Sequence, residues 1–268
     1  MTAHERRQLI LALLRDRSGI RVSELAEVFD VSEGTIRNDL NALEQQGYLN
    51  RVHGGAVLTS LEEYPPMNFS SRHQANVEKK ACIGAQAARL VNDGDSIFLD
   101  ASSTAYYLAL NLGDHERLRV ITNGIEVARL MAHNASNTVI LIGGVVNHDG
   151  SSVGGLLSEQ IIADFHVKKA FVSCSGFTLS RGMTEVYFEE TQLKRKAIES
   201  SQQVIALIDS SKMGHEDLTP FAHSLQISHI FTDPEISDEW IQRLQDAKIP
   251  FTICGSSAIS EKDEGGNS

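Results

Sequence analysis

Between residues 77 and 256 the chain alternates apolar runs of strand length with stretches of helical period, and this alternation limits the possible folds more than any other feature. The apolar runs are residues 96–100, 118–122, 139–142, 170–173, 204–208 and 229–231, with a shorter one at 251–253. Helices are predicted between them at residues 78–90, 105–112, 126–132, 157–165, 189–202 and 238–247. Runs that are nearly continuous in apolar residues, not alternating, suit strands buried on both faces, and the intervening helices supply the crossovers that parallel strands require. The expectation is an α/β domain with a mainly parallel, doubly wound sheet.

In such a sheet ligands bind beyond the carboxyl ends of the strands. Nearly every apolar run here ends in small polar residues or glycine: Asp100-Ala101-Ser102-Ser103-Thr104, Thr122-Asn123-Gly124, Gly143-Gly144, Ser175-Gly176 and Asp209-Ser210-Ser211-Lys212. Ser102, Ser103 and Thr104 lead into a helix, where hydroxyls and first-turn N–H groups converge as a phosphate requires. Lys80 and Lys212 are placed to add positive charge. Each corner also has a plainer reading: Ser/Thr as an N-cap, Gly-Gly as a turn, Asp100 and Asp209 as loop braces, Glu190 with Lys194 as a surface pair.

Residues 22–57 carry a different pattern. Ser23 is an N-cap candidate before Leu25, Ala26 and Phe29; Asp30-Val31 reads as a turn, and Ser32 as the N-cap of a second helix with Ile36, Leu40 and Leu43 on one face, ending at Gly47. Two extended runs around His53-Gly54-Gly55 then read as a hairpin wing. A helix-turn-helix with a wing lays its second helix in the DNA major groove. The helical period turns Gly34, Asn38 and Asn41 outward, flanked by Thr35 and Arg37, with Ser32 at the helix start and Arg51 and His53 on the wing as backbone or minor-groove contacts. Asn suits adenine and Arg suits guanine or phosphate. Asp39 falls nearer the buried side and is expected to pair with a basic side chain.

Upstream, Thr2 and Glu5 form a capping box for a helix with Leu9, Ile10, Leu13 and Leu14 as its apolar face, and residues 20–22 are expected to add a strand to the wing. The organisation expected is a DNA-binding domain at residues 1–57, a linker at 58–76, a sensor domain at 77–256 and a disordered tail at 257–268. The linker contains Glu62-Glu63-Tyr64-Pro65-Pro66, and Phe69 and Arg72 either pack it onto the following domain or leave it an exposed spacer.

Net charge is −11, an unusual value for a protein that must neutralise phosphates. Residues 1–57 hold seven Lys/Arg against eight Asp/Glu, so the excess acid lies in the remainder. Positive potential must come from Arg37, Arg51 and His53, with Arg6, Arg7 or Arg21, gathered on one face. Single-site binding should therefore be weak and strengthened by a homo-oligomer, dimer or tetramer, that links heads. No run of 18 apolar residues exists and residues 1–10 are polar, so a cytoplasmic protein without membrane contact is expected. Cys82, Cys174 and Cys254 are scattered, as reduced core thiols would be, and no metal or cofactor is called for.

These motifs resemble the DeoR (deoxyribose-operon repressor) family in both halves. The head is similar to the pattern V-S-x-x-T-I-R-R-D-L-x-x-L-E-x-x-G-x-L-x-R-x-H-G-G-A, departing from it at Asn38, where a second Arg is usual. The second half carries the family's D-x-[GS]-[ST]-T at Asp100 to Thr104, with Ser102 where Gly is usual, T-N at Thr122-Asn123, G-G at Gly143-Gly144, E-x-x-x-K at Glu190 and Lys194, and D-x-S-K at Asp209 to Lys212. The resemblance spans residues 1 to about 256. It implies a winged helix-turn-helix head and a Rossmann-like domain related to ribose-5-phosphate isomerase. It further implies an operator-binding transcriptional regulator, usually a repressor, controlled by a phosphorylated sugar or related metabolite. A second reading stays open, a sugar-phosphate isomerase with an accessory head, because Asp100, Asp149 and Glu185 offer candidate bases. A regulator with no catalytic residue fits a DNA-binding head better.

Overall fold

In the computed structural model, residues 6–7, 9–10, 13–14, 20–45, 49–52, 54–58, 69–147 and 149–255 are described. The Thr2–Glu5 capping box, Gly47, His53 and the tail lie outside them. The chain divides into a unit of Met1–Asn68 and a unit of Phe69–Ser268.

In the first unit, β1 (Ile20–Arg21) leads into α1 (Val22–Phe29), α2 (Glu33–Gln45), β2 (Leu49–Val52) and β3 (Gly55–Leu58). Antiparallel pairing in the order β1-β3-β2 makes the wing. Gly55 is required there: a Cβ would collide with the Ile20 carbonyl on the neighbouring strand. Ile10, Leu14, Leu25, Ile36, Leu40, Leu43, Leu49 and Ala56 form the core. Asp30 turns the chain between the helices with φ 50°, the left-handed conformation that Asp tolerates.

Three local expectations are corrected here. Ser23 lies inside α1, whose N-cap is Arg21; the Val22 N–H instead bonds the Gly54 carbonyl at 2.9 Å, so the wing supplies the acceptor. Leu9 is exposed. Arg6 and Arg7 are not reserved for DNA: their Nε atoms donate to the two oxygens of buried Asp39 at 2.6 and 2.8 Å, which satisfies the carboxylate that the helical period turns inward.

The second unit runs through α3 (Phe69–Gln74), α4 (Val77–Ala88), β4 (Ser96–Leu99), α5 (Ser103–Leu110), β5 (Arg119–Thr122), α6 (Ile125–Met131), β6 (Thr138–Leu141), β7 (Val145–Val146), β8 (Val153–Gly154), α7 (Leu156–Ala163) and β9 (Val167–Val172). It continues with β10 (Gly176–Thr178), β11 (Gly182–Glu185), α8 (Phe188–Glu199), β12 (Ser201–Leu207), β13 (Thr219–Ala222), β14 (His229–Thr232), α9 (Asp238–Asp246) and β15 (Phe251–Ile253). Seven parallel strands form the main sheet in the order β15-β14-β12-β9-β4-β5-β6. Alternate residues feed two cores: Phe98, Ala170, Val172, Ala206 and Ile230 face one way, and Ile97, Leu99, Phe171, Ile205 and Phe231 the other. Burial on both faces explains why these runs are nearly continuous in apolar residues.

Several elements differ from expectation. The stretch read as linker contains α3, whose Phe69 ring meets Tyr106 edge-on at 5.6 Å, and this favours packing over the exposed spacer. The ribbon β7-β8 and the antiparallel sheet β10-β11-β13 were not anticipated, because strands of two to four residues are too short to show a period. Cys174 and Cys254 are buried and Cys82 half-buried, all unpaired, and burial pushes the Cys174 thiol up to about 12. Among the described residues no helix is long and apolar enough to cross a membrane.

Candidate functional site

The chain lays down β4, β5 and β6 in one direction and then returns to place β9 on the other side of β4. The strand order therefore reverses between β4 and β9, where the crevice of a doubly wound sheet opens. Asp100 follows β4 and Ser173 follows β9, and the two meet: Asp100 Oδ2 accepts the Ser173 N–H at 2.9 Å and its Oδ1 accepts the Ser102 N–H at 3.1 Å. Lys194, from α8, donates to the Ser173 carbonyl at 2.8 Å, lies 3.2 Å from Asp100 Oδ2 and pairs with Glu185. Burial alone would lower the Lys194 pKa. The Glu185 carboxylate, then Asp100 and Glu190, outweigh it and raise the value, so the ammonium stays charged.

On the other side of Ser173, Lys212 donates to its hydroxyl at 2.8 Å and lies 3.5 Å from Asp209. Burial works against ionisation of Asp209, yet Lys212, Ser211 and Lys80 hold its carboxyl below the usual range. Lys80 is buried at the start of α4, and its ammonium donates to the carbonyls of Arg72 and, at 2.6 Å, Ala75. Burial, with the Lys212 charge behind it, lowers Lys80 to about 8, against a smaller opposing pull from Asp209.

Ser102 caps α5, its hydroxyl accepting the Ala105 N–H at 3.0 Å, and Ser103 and Thr104 are buried in the first turn. Three buried polar atoms at these corners lack a hydrogen-bond partner: Thr104 Oγ1, Asn123 Oδ1 and Asp209 Oδ2. Buried groups without a partner cost about 1–3 kcal/mol each unless something else meets them. The Glu190 side chain also makes no hydrogen bond among the described residues. Burial and the neighbouring Glu185 raise its pKa more than Lys194 and Arg72 lower it.

The structure thus brings Lys80, Asp100, Ser102, Ser103, Thr104, Asp209, Lys212 and Glu190 into one charged neighbourhood. The surface-pair reading of Glu190 with Lys194 is corrected, because buried Lys194 is bonded to Glu185 and Asp100. Thr122 and Asn123 are buried; the Thr122 hydroxyl accepts the Gly124 N–H at 3.0 Å and Asn123 holds the Val153 carbonyl. The glycines serve the backbone. The Gly143 carbonyl accepts the Ser158 hydroxyl at 2.8 Å, Gly144 packs where a Cβ would strike Ser158 and Gly154, and Gly176 pairs with Thr184 in the antiparallel sheet. Lys194 entered the sequence reading through the E-x-x-x-K motif; Ser173 did not, nor did Arg72 and His73 of α3 as site members, whose Nε and Nδ1 atoms are buried without a hydrogen-bond partner. Arg72 had a signal, since a basic residue beside Phe69 in an otherwise acidic connector is unusual.

Each carboxylate that the isomerase reading needs as a base is engaged: Asp100 and Glu185 by Lys194, and Asp149 by the Ser151 hydroxyl at 2.8 Å. Burial would raise the Asp149 pKa, but the bonds from Ser151, the Arg72 charge and the Phe69 N–H together lower it.

In the first unit, Gly34, Arg37, Asn38 and Asn41 are exposed on α2, opposite buried Ile36, Leu40 and Leu43. The Ser32 hydroxyl accepts the Thr35 N–H at 3.1 Å and bonds the Thr35 hydroxyl at 2.9 Å, so both cap the helix. Arg37 pairs with Glu33 at 2.8 Å, and exposed Arg51 donates to Asn41. Such exposed pairs are worth at most about 1 kcal/mol and yield to a phosphate or base.

Comparison with known proteins agrees in both halves. The profile described as DeoR-like helix-turn-helix domain matches residues 6–62, and that of the DeoR C terminal sensor domain matches residues 75–234. The chain is 39% identical to the uncharacterized HTH-type transcriptional regulator YulB of Bacillus subtilis over 94% of its own length and 97% of that protein. It is 39% identical to the HTH-type transcriptional regulator GolR of Listeria innocua over 94% and 99% of the two chains. The lactose phosphotransferase system repressor of Streptococcus mutans is 35% identical over 91% and 97%. Among solved structures, ribose 5 phosphate isomerase A from Neisseria gonorrhoeae aligns with a TM-score of 0.37 and 13% identity over 50% and 52% of the chains. With a sensor-domain match covering more than half of its length and relatives named as regulators matched almost end to end, the chain belongs to the DeoR family of DNA-binding transcriptional regulators.

Proposed function

We propose that the protein represses an operon of carbohydrate metabolism and that a phosphorylated sugar, or a related metabolite, bound at the carboxyl ends of the sheet releases it from its operator. The observation that carries this reading is that the polar corners of the strands meet at a strand-order reversal, where Thr104 Oγ1 and Asn123 Oδ1 are buried without a hydrogen-bond partner and Asp209 stands with the ammonium groups of Lys80 and Lys212. The first turn of α5 and the two lysines suit a phosphate; Asn123, Asp209 and Glu190 suit hydroxyls. Gly143, Gly144 and Gly176 shape the backbone at neighbouring strand ends. The name of the Streptococcus mutans relative, a repressor of a lactose phosphotransferase system, points the same way.

On DNA, the exposed face of α2 enters the major groove with Arg37, Asn38 and Asn41 reading bases and Gly34 permitting close approach. Ser32, Thr35, Arg51 and His53 contact the backbone. A homo-oligomer presents two heads at the spacing of successive major grooves.

The test is a gel shift with the operator of the adjacent operon, titrated with ribose 5-phosphate, fructose 1-phosphate, fructose 6-phosphate and further aldose and ketose phosphates. Release by at least one phosphorylated sugar and not by its unphosphorylated parent is expected. Indifference to the whole panel overturns the effector half of the reading, and failure to bind any operator overturns the other half.

A further inference from the structure

The second unit begins with α3, directly after residue 68, and α3 is seated on elements of the candidate site. Lys80 donates to the carbonyl of Arg72 within it and of Ala75 just after it. The Tyr107 hydroxyl, from the helix whose first turn is Ser103-Thr104, donates to the His73 carbonyl at 3.2 Å, and the His73 ring stacks on Tyr107 at 4.9 Å. Asp149 accepts the Phe69 N–H at the start of α3.

Arg72 is the poorly satisfied member of this arrangement. Its guanidinium touches one carboxylate, Asp149, through Nη2 at 3.6 Å, too long for a hydrogen bond, while Nε is buried without a partner. A guanidinium has five donors in a fixed fork that matches an oxyanion two atoms at a time. Asp149 does not offer that geometry here: it approaches the guanidinium through Oδ2 alone, and its oxygens share the one Ser151 hydroxyl proton, 2.8 Å from each, while Oδ1 also accepts the Ser151 N–H. His73 Nδ1, on the same helix, is likewise buried and free of a partner. No other arginine of the described residues has a buried, unpartnered nitrogen.

We propose that Arg72 is an effector contact: an oxyanion of the bound metabolite, phosphate or carboxylate, takes its guanidinium in competition with Asp149 and thereby acts on the seat of α3. This rests on the proposed function and adds to it the residue through which occupancy reaches the first element of the sensor unit. No proton or covalent bond moves; one loose ion pair is exchanged for a charge-assisted, two-pronged one.

Competition makes a sign prediction that a merely structural role does not. Arg72→Gln removes the contact, and Asp149→Asn removes the competitor while keeping an acceptor for Ser151 and Phe69. Affinity for the panel member that releases the wild-type protein, measured by calorimetry, is expected to fall about tenfold or more in Arg72→Gln and to rise in Asp149→Asn. Arg72→Lys, which keeps the charge and loses the fork, is expected to lie between wild type and Arg72→Gln. If Arg72 only braces α3, both Arg72→Gln and Asp149→Asn break the same brace and shift affinity in the same direction, which overturns the proposal. Unchanged affinity in Arg72→Gln overturns it as well, while leaving the proposed function standing. Absence of binding by any panel member to the wild-type protein overturns both.

Discussion

Glu190 shows at the scale of one residue how a site is kept at odds with stability. Its folded pKa is raised by burial and by Glu185, so between the ordinary carboxyl value and the raised one the folded state holds a proton that the unfolded state has lost. Stability on its account is complete at acid pH and is lost as pH rises through the folded value. Glu190→Gln removes that loss: its melting temperature should exceed that of wild type at pH 7.5, by about 2–4 °C per kcal/mol recovered, and the difference should shrink towards pH 4.5 in a denaturation series. Lys80 behaves oppositely. Lowered to about 8, it lets stability rise between pH 8 and its ordinary value while the positive charge is lost. Effector affinity is therefore expected to fall as pH is raised through 8, to be read by titration at pH 7 and pH 9. On the head, Arg37→Ala should weaken operator binding by about 1–3 kcal/mol if the guanidinium reads a base; a gel shift decides. The inward turn of Asp39 and the outward turn of Arg37 were both legible from a helical period. That Arg6 and Arg7 would be the partners of Asp39 was not, because nothing local links residues more than 30 positions apart.

Among the elements, α5 carries both a fold role and a site role through its first turn. Ser102→Ala removes the hydroxyl that accepts the Ala105 N–H, and a lost N-cap of this kind costs about 0.5–2 kcal/mol. The melting temperature should drop by a few degrees, as calorimetry will show, and effector affinity should change less than in Lys212→Ala, since the cap oxygen is already in use. Were Lys212→Ala to leave operator release by the sugar phosphate intact, Lys212 would be removed from the effector contacts. Parallel strands and long helices could be read directly because compact apolar clusters recurring between helical periods stand out from background. The sheet β10-β11-β13 could not: its strands Gly176–Thr178, Gly182–Glu185 and Thr219–Ala222 are short, and β13 joins the local β10-β11 hairpin only through long-range pairing. α3 was hidden for a related reason. A six-residue helix beside a Pro-Pro pair has no period to show, and it is held by Tyr106, Tyr107 and Lys80 from elsewhere.

For the whole molecule, the charge distribution sets the terms. The head is close to neutral by residue count, and Arg6 and Arg7 are committed to Asp39, so few cations remain to meet phosphates. Native mass spectrometry is expected to show a dimer or tetramer, and dilution below its dissociation constant should weaken operator binding along with assembly. A monomer that binds its operator tightly would remove this argument.

What the amino-acid order determined alone is what repeats locally: which segments are strands and helices, which face of α2 is apolar, and that small polar corners follow the parallel strands. Periodicity and capping act over a few residues, so they are written in the chain. Tertiary structure decided which corners meet. Asp100 and Ser173 become neighbours only because the strand order reverses between β4 and β9. Lys194 is drawn into the interior by two carboxylates, Asp100 and Glu185, one of them 94 residues upstream in sequence, and Arg72 meets Asp149, 77 residues downstream, only at 3.6 Å. Pairings of that kind depend on how the chain returns to itself, and their energies are settled by burial, which no stretch of sequence shows by itself.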